Sequence, residues 1–237
     1  VRISTRAPDG RPVPARAAAA IASWVLFAHL DLGPFYHSAR QHPVLGPLVR
    51  RFRGLKPMRP ASVFEMAVVA ITEQQSSLAA AHTIRYRLVA RFGETVEDSL
   101  VFPTAERLAR ATLGQLAAVG LSRAKAGYVQ GLARAVASGA LDLDALVTLD
   151  DEAARARLLD VRGFGPWSVE YVLVRGLARP DCVPVEDIGI RSVVGSALGR
   201  GRASPGQVQR FLAPFQPWRG LAAFYLLANA RADPAQR

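Results

Sequence analysis

The sequence predicts a mainly α-helical protein, and three observations lead there. Alanine and leucine are abundant while aromatic residues make up only 8% of the chain, a composition that favours helix over sheet. No long alternation of apolar and polar residues appears, as a half-buried strand requires. At expected helix starts a Ser or Thr is followed three positions later by Glu or Gln, as at Ser62–Glu65, Thr112–Gln115 and Ser204–Gln207. In that spacing a hydroxyl and a side-chain oxygen reciprocally satisfy free amides at a helix start. With 237 residues, 50% of them hydrophobic, the chain can bury a sizeable core as one large domain or two small, closely packed ones.

Residues 1–60 read as an N-terminal tail and helices, or the remnant of a preceding domain. The first 15 residues are rich in Pro and Arg, and a helix follows near 17–30. Its uncharged run, Ala17 to Ala28, is preceded by Arg2, Arg6, Arg11 and Arg16 and loosely imitates a signal peptide. It is too short for a bilayer, which takes roughly 20 residues, and Pro8, Pro12 and Pro14 make its leader irregular. An amphipathic or buried helix in a cytoplasmic, nucleoid-associated protein is the expectation.

Beyond residue 60, capping chemistry and breaks predict helices near 62–73, 76–92, 104–110, 112–118, 122–138, 150–159, 166–178, 187–198, 204–212 and 218–230. The breaks fall at Gly93, Pro103, Gly120, Gly139, Gly163, Pro180, Gly199 and Pro217. The single extended piece expected is Cys182-Val183-Pro184-Val185. Residues 100–200 read as one helical lobe, and the flanking segments combine as a second.

Charge narrows the partners. The formal net charge is +11, with only 19 acidic residues, and nearly all the cations are arginine, the lysines being Lys56 and Lys125. A compact domain so basic attracts polyanions, nucleic acid before an anionic membrane. Cys182 is the single cysteine, so this chain forms no internal disulfide, cysteine zinc site or four-cysteine iron–sulfur cluster. His29, His37, His42 and His82 show no metal-ligand spacing. Neither a metal nor an organic cofactor is expected.

The most informative stretch is Leu158-Leu159-Asp160-Val161-Arg162-Gly163-Phe164-Gly165-Pro166-Trp167-Ser168-Val169-Glu170-Tyr171. One helix ends near Leu159 and Pro166 presets the first turn of the next. Gly163 and Gly165 are expected at positive backbone angles in a tight turn with uncovered amides, and Phe164 is expected to point inward and pin the helices together. The second helix then offers free N–H groups and its positive dipole end to a phosphate oxygen. A bare Gly-x-Gly would equally suit an ordinary helix–helix turn; the full Val-Arg-Gly-Phe-Gly-Pro-Trp string between helices is more specific.

This stretch, followed by Cys182-Val183-Pro184-Val185-Glu186-Asp187-Ile188-Gly189-Ile190, resembles the helix-hairpin-helix and Gly-Pro-rich-loop-plus-Asp signature of DNA base-excision glycosylases, with the 3-methyladenine DNA glycosylase II group its nearest branch. Phe64 to Ser76 is similar to the family helix and loop that carry an intercalating wedge, and Val119 to Tyr128 resembles its central helix junction. The similarity spans about residues 60–230. It implies two closely packed helical subdomains with the active-site cleft between them, residues 61–237 forming the glycosylase domain. The sheet domain that precedes this region in larger relatives is expected to be absent or cut away here, since the chain starts at Val1, about 60 residues before Ser62.

Asp187 lies 22 positions after Gly165 at a helix start, where an aspartate commonly serves as N-cap. The resemblance makes it also the catalytic carboxylate, facing the sugar of an extruded nucleotide and stabilising the positive charge that builds as the N-glycosidic bond breaks. Glu186 is the neighbouring candidate; the family motif places its acid two residues before the apolar Gly-Ile pair, which favours Asp187. In family members that also cut the backbone, a lysine stands four residues after the first hairpin glycine and forms a Schiff base. Here that position is Trp167, which implies a monofunctional enzyme leaving an abasic site. Trp167 and Tyr171 share a helix face at i and i+4; core packing is one reading, and the resemblance implies a pocket attracting a cationic alkylpurine, such as 3-methyladenine or 7-methylguanine, by stacking and cation–π contact.

Flipping the nucleotide leaves a gap to fill, and Gln75, in Glu73-Gln74-Gln75-Ser76, is the candidate wedge, or else a solvent-facing loop glutamine. Arg162, Gly163, Phe164 and Gly165 form the expected phosphate-binding hairpin; Arg123 and Lys125 are further phosphate candidates or solvated charges. An aromatic residue that some relatives place on the last helix is replaced near Leu226-Leu227, which bears on the range of lesions. The partner implied is double-stranded DNA with damaged bases, bound by a monomer and with no membrane association. Two alternatives stay open: a non-catalytic DNA clamp, and a bifunctional glycosylase/lyase for oxidised bases, which Trp167 opposes.

Overall fold

In the computed structural model, residues 13–96 and 99–232 are described, and they are mainly helical. Three helices occupy the N-terminal part: α1 (Ala15–Val25), α2 (Gly33–Ala39) and α3 (Leu45–Arg51). Seven follow through the middle: α4 (Val63–Glu73), α5 (Leu78–Phe92), α6 (Ala105–Arg110), α7 (Leu113–Ala117), α8 (Arg123–Ala137), α9 (Asp151–Leu159) and α10 (Pro166–Arg175). The last three are α11 (Ile188–Ala197), α12 (Pro205–Leu212) and α13 (Arg219–Ala232). Short 3₁₀ turns lie at Ala145–Thr148 and Ala213–Phe215.

Capping chemistry sets most helix starts. Thr112–Gln115 and Ser204–Gln207 form complete reciprocal boxes. At α4 only half the box closes: Ser62 Oγ accepts from the Glu65 amide, but the Glu65 carboxylate reaches one residue further back, to the Ala61 amide at 3.0 Å. Ser77, Thr104, Ser122 and Asp150 cap α5, α6, α8 and α9 in the same way as Ser62.

Two differences from the sequence reading concern local elements. α2 and α3 were not predicted; each has only seven residues and no Ser, Thr, Asp or Asn N-cap bond, their starts being marked by Pro34 and the His42 ring instead, and helices so short depend on tertiary packing. The strands fall not at Cys182–Val185 but at β1 (Glu94–Val96) and β2 (Ser99–Val101), an antiparallel pair in the register Glu94↔Val101, Thr95↔Leu100, Val96↔Ser99. Five of these six residues are exposed and the sixth is half-buried, so the in-and-out alternation that marks a packed strand is missing.

The helices enclose two apolar cores. The first runs from Val63 to Cys182 and is centred on α4, whose Val63, Met66, Ala67, Val68, Ala70 and Ile71 are buried against α8 and α10. The second joins residues 30–55 to the segment from Ile190 onward: Phe35, Leu45, Phe215 and Tyr225 are almost fully buried together. The Tyr225 hydroxyl sits at the carbonyls of Leu55 (2.9 Å) and Phe52 (3.3 Å) and against the Tyr36 hydroxyl (3.2 Å), satisfying a polar group that burial would otherwise leave unpaired. The lobes therefore divide near residues 60 and 182 rather than 100 and 200, and residues 30–55 are an integral part of the second.

α1 has no fully buried residue of its own and packs against the first core through Trp24. Trp24 tethers it, donating from Nε1 to the Pro60 carbonyl at 2.9 Å beneath the Arg59 guanidinium, 3.2 Å from the ring centre. Among the described residues no helix is long and apolar enough to cross a membrane.

Candidate active site

The chain passes between the cores at residues 56–62 and 183–187, and the residues singled out from sequence gather at the second crossing. α9 ends at Leu159 and α10 begins at Pro166, with a tight turn between them. Gly163 has φ +93°, and a β-carbon there would lie 2.4 Å from Cγ of the Tyr128 ring on α8; both backbone angle and contact demand glycine. Gly165 differs from expectation. Its φ of −115° and ψ of −179° are extended, the conformation imposed on a residue preceding proline, and a β-carbon there would meet nothing within 4 Å. Phe164 is buried, its amide on the Val161 carbonyl at 2.9 Å. No side chain caps α10, and Arg162, in the turn before it, is exposed.

Gln74 ties the hairpin to α4: its Nε2 donates to the Gly163 carbonyl (2.7 Å) and to Ser168 Oγ (2.9 Å). The next residue, Gln75, is exposed and has φ +49°, a left-handed conformation uncommon outside glycine. Lys125 holds this loop from behind. Its Nζ donates to the carbonyls of Thr72 (3.0 Å) and Gln74 (2.5 Å) and to Ser76 Oγ (2.9 Å), and burial lowers its pKa. Lys125 is thus a strut at the C-terminal end of α4 rather than a phosphate contact, whereas Arg123, at the start of α8, is exposed.

Asp187 is the N-cap of α11. Oδ1 accepts the Ile190 amide at 2.9 Å, and Oδ2 accepts Trp167 Nε1–H at 3.0 Å. One carboxylate therefore receives a donor from each lobe. Trp167 stacks on Tyr171, ring centres 5.0 Å apart and planes 25° from parallel. The Tyr171 hydroxyl donates to Glu73 Oε2 at 2.8 Å; burial first, then the Glu73 charge, push its pKa far up. The other Glu73 oxygen pairs with Arg85 of α5. Glu186 is exposed, and among the described residues it accepts no side-chain hydrogen bond.

Glu73 and Lys125 are the residues whose places the sequence did not disclose. Glu73 stands at the C-terminal end of a mostly apolar helix, where the dipole disfavours negative charge, and that anomaly was the available signal. On α13, Leu226 is buried in the second core, while Leu227 is half-buried and reaches the Asp187 turn: a β-carbon on Gly189 would lie 3.4 Å from Leu227 and 3.1 Å from Asp187 Oδ1. Ile188, next to Asp187, is 61% exposed. Among the described residues no three His, Cys, Asp or Glu side chains gather as a metal site.

The arrangement joins an aromatic pair, a carboxylate held at its edge, a helix N-terminus without a side-chain cap and an exposed loop residue. The chain is 33% identical over 201 residues to a DNA-3-methyladenine glycosylase of Bacillus subtilis, covering 83% of this chain and 66% of that protein. It is 29% identical over 185 residues to the DNA-3-methyladenine glycosylase 2 of Escherichia coli, covering 77% and 63%. It thus spans less than two thirds of the length of either. The structure of a 3-methyladenine DNA-glycosylase from Archaeoglobus fulgidus superposes with a TM-score of 0.83 at 26% identity, over 94% of this chain and 78% of that one. The model of the HhH-GPD superfamily matches residues 68–217, and with the hairpin and Asp187 inside that span, the chain belongs to the HhH-GPD superfamily of base excision DNA repair proteins.

Proposed function

We propose that this chain is a monofunctional DNA glycosylase that flips alkylated purines of the 3-methyladenine and 7-methylguanine type from duplex DNA and hydrolyses the N-glycosidic bond. The observation that carries the reading is the bond from Trp167 Nε1 to Asp187 Oδ2. It puts an indole where a lyase of this superfamily would keep an amine, and ties it to the carboxylate. The Lys125 amine is engaged by the Thr72 and Gln74 carbonyls.

The chemistry then runs without a protein nucleophile. The bond between C1′ and the base nitrogen breaks, its electron pair leaves with the base, and a cationic alkylpurine departs neutral. Asp187 stabilises the oxocarbenium-like sugar by charge. Water adds its oxygen to C1′ and releases a proton, leaving an abasic site. Trp167 and Tyr171 offer electron-rich ring faces to the cationic base. Arg162 and the Gly163–Gly165 turn hold a phosphate, and Gln75 fills the gap in the duplex, which the outward, left-handed geometry of its loop supports.

Duplex DNA containing 7-methylguanine or 3-methyladenine, incubated with wild type and with Asp187→Asn, tests this. Free base released by wild type and not by the variant is expected. Binding without release would make the chain a DNA clamp, equal release would remove Asp187 from its role, and a borohydride-trapped adduct would refute monofunctionality.

A further inference from the structure

We propose that Glu73 is a positioning residue of the base pocket, its carboxylate fixing the Tyr171 hydroxyl in front while Arg85 balances its charge from behind. The inference rests on the glycosylase reading above. Glu73 is only 10% exposed, its Arg85 partner 21%, and it closes α4 at the helix end least suited to an anion. Two cations compensate: Arg85 directly, and Lys125 through the Thr72 and Gln74 carbonyls that flank Glu73 in sequence.

Two effects follow. The Tyr171 O–H has its acceptor in Glu73, which sets the ring against Trp167 and, through the indole N–H, the approach to Asp187. A phenol donating to a carboxylate also carries more electron density on its ring, which favours a cation at the face. The second effect is electrostatic. The base and the developing sugar charge are both positive, so the ground beneath the stack must not be. Glu73 with Arg85 is a neutral pair; removing the carboxylate alone leaves the Arg85 guanidinium with only the weaker attraction of Glu65, and in this half-buried setting its repulsion is poorly screened.

The test is single-turnover release of 7-methylguanine from duplex DNA by wild type, Glu73→Gln, Glu73→Gln/Arg85→Gln, Tyr171→Phe and Glu73→Gln/Tyr171→Phe, with thermal unfolding of each. Glu73→Gln is expected to slow release about tenfold or more, the loss typical of a hydrogen bond to a charged group. Adding Arg85→Gln should recover at least about threefold of that by removing the guanidinium charge left without Glu73, whereas a role confined to packing predicts further loss. Adding Tyr171→Phe should cost much less than it does in wild type, because the two act through one contact. Further loss with Arg85→Gln, or full additivity with Tyr171→Phe, would overturn the role. Should Glu73→Gln not fold, Tyr171→Phe alone decides, since it leaves the ion pair in place; an unchanged rate would overturn the role. No release by wild type would overturn the glycosylase reading and this role with it.

Discussion

The two hairpin glycines look alike in sequence, yet the structure gives them opposite tolerances to a methyl group. At Gly163 an alanine must hold φ near +93° and place its β-carbon 2.4, 2.6 and 2.8 Å from three Tyr128 ring carbons. The backbone strain is roughly 1–2 kcal/mol and the overlap with a ring that cannot swing aside roughly 1–3 kcal/mol. Gly163→Ala is therefore expected to lose about 2–5 kcal/mol, a fall in Tm of roughly 4–20 °C for a chain of this size. At Gly165 the backbone is already extended and the β-carbon meets open space, so Gly165→Ala should leave stability within about 0.5 kcal/mol. That open space is where a phosphate would approach the α10 amides, so the same methyl should weaken duplex binding roughly tenfold. Thermal unfolding read by circular dichroism, and fluorescence anisotropy with a duplex at one fixed salt concentration, separate the two effects. A Gly163→Ala protein as stable as wild type would refute the packing argument. A stable Gly165→Ala protein with full affinity would refute the assignment of this turn to phosphate.

Three further outcomes follow from single contacts. Trp167→Phe keeps an aromatic ring but removes the N–H that Asp187 Oδ2 accepts; base release should slow roughly 10- to 100-fold with little change in Tm, and an unchanged rate would show that the Ile190 amide alone holds the carboxylate. Lys125→Met removes every Nζ contact to the Gln75 loop, so stability should drop by roughly 2–3 kcal/mol and 2-aminopurine fluorescence should report less flipping; a lower salt slope of DNA binding at unchanged Tm would instead make Lys125 a phosphate contact. Burial, followed by the Glu170 and Asp151 charges, pushes the Cys182 thiol up from 9.0 to about 12. Between those values the unfolded chain gives up the proton that the folded chain retains, so wild-type stability should fall as pH rises above 9, and Cys182→Ala should flatten the fall in urea midpoints between pH 8 and 10.

What was legible in the sequence is what local chemistry determines. Thr112 and Ser204 sit three residues from a glutamine, and their boxes form because both partners lie within one helical turn. Pro166 and Gly163 act through their own backbone angles, and Asp187 caps the helix that follows it. What was hidden depends on residues far apart in the chain. α2 and α3 exist because Phe35 and Leu45 meet Phe215 and Tyr225, about 180 positions later. Lys125 reads as a surface cation at a helix start until the fold brings the Thr72 and Gln74 carbonyls to it, across 53 and 51 residues. Glu73 meets Tyr171 across 98. Gly165 was misjudged for a different reason: the demand of Pro166 for an extended predecessor is local, and it outweighs the freedom of glycine.

Those long-range contacts explain how Asp187 is held still on a connection between two cores. The segment leading to it is fastened on both sides first. Arg219 of α13 grips Asp181 with two nitrogens, at 2.8 and 2.6 Å, while its amide adds a third contact at 3.1 Å. The Leu221 amide takes the Pro180 carbonyl at 3.0 Å. From the other lobe Glu170 of α10 accepts the Val183 amide at 3.1 Å and is itself set by Arg155 at 2.6 Å. α13 comes so close that a β-carbon on Gly220 would lie 2.3 Å from the Cys182 carbonyl oxygen. Exposed ion pairs contribute little to stability, but these are partly buried and converge on one backbone segment. Their effect is to fix a coordinate. A charge that stabilises a transition state must stand in place before the charge develops, since reorganisation during the reaction would cancel the gain. Asp187 meets that condition because Trp167 from the first lobe and Ile190 from the second both donate to it, so its position is set by the packing of the two cores against each other and not by the loop that carries it.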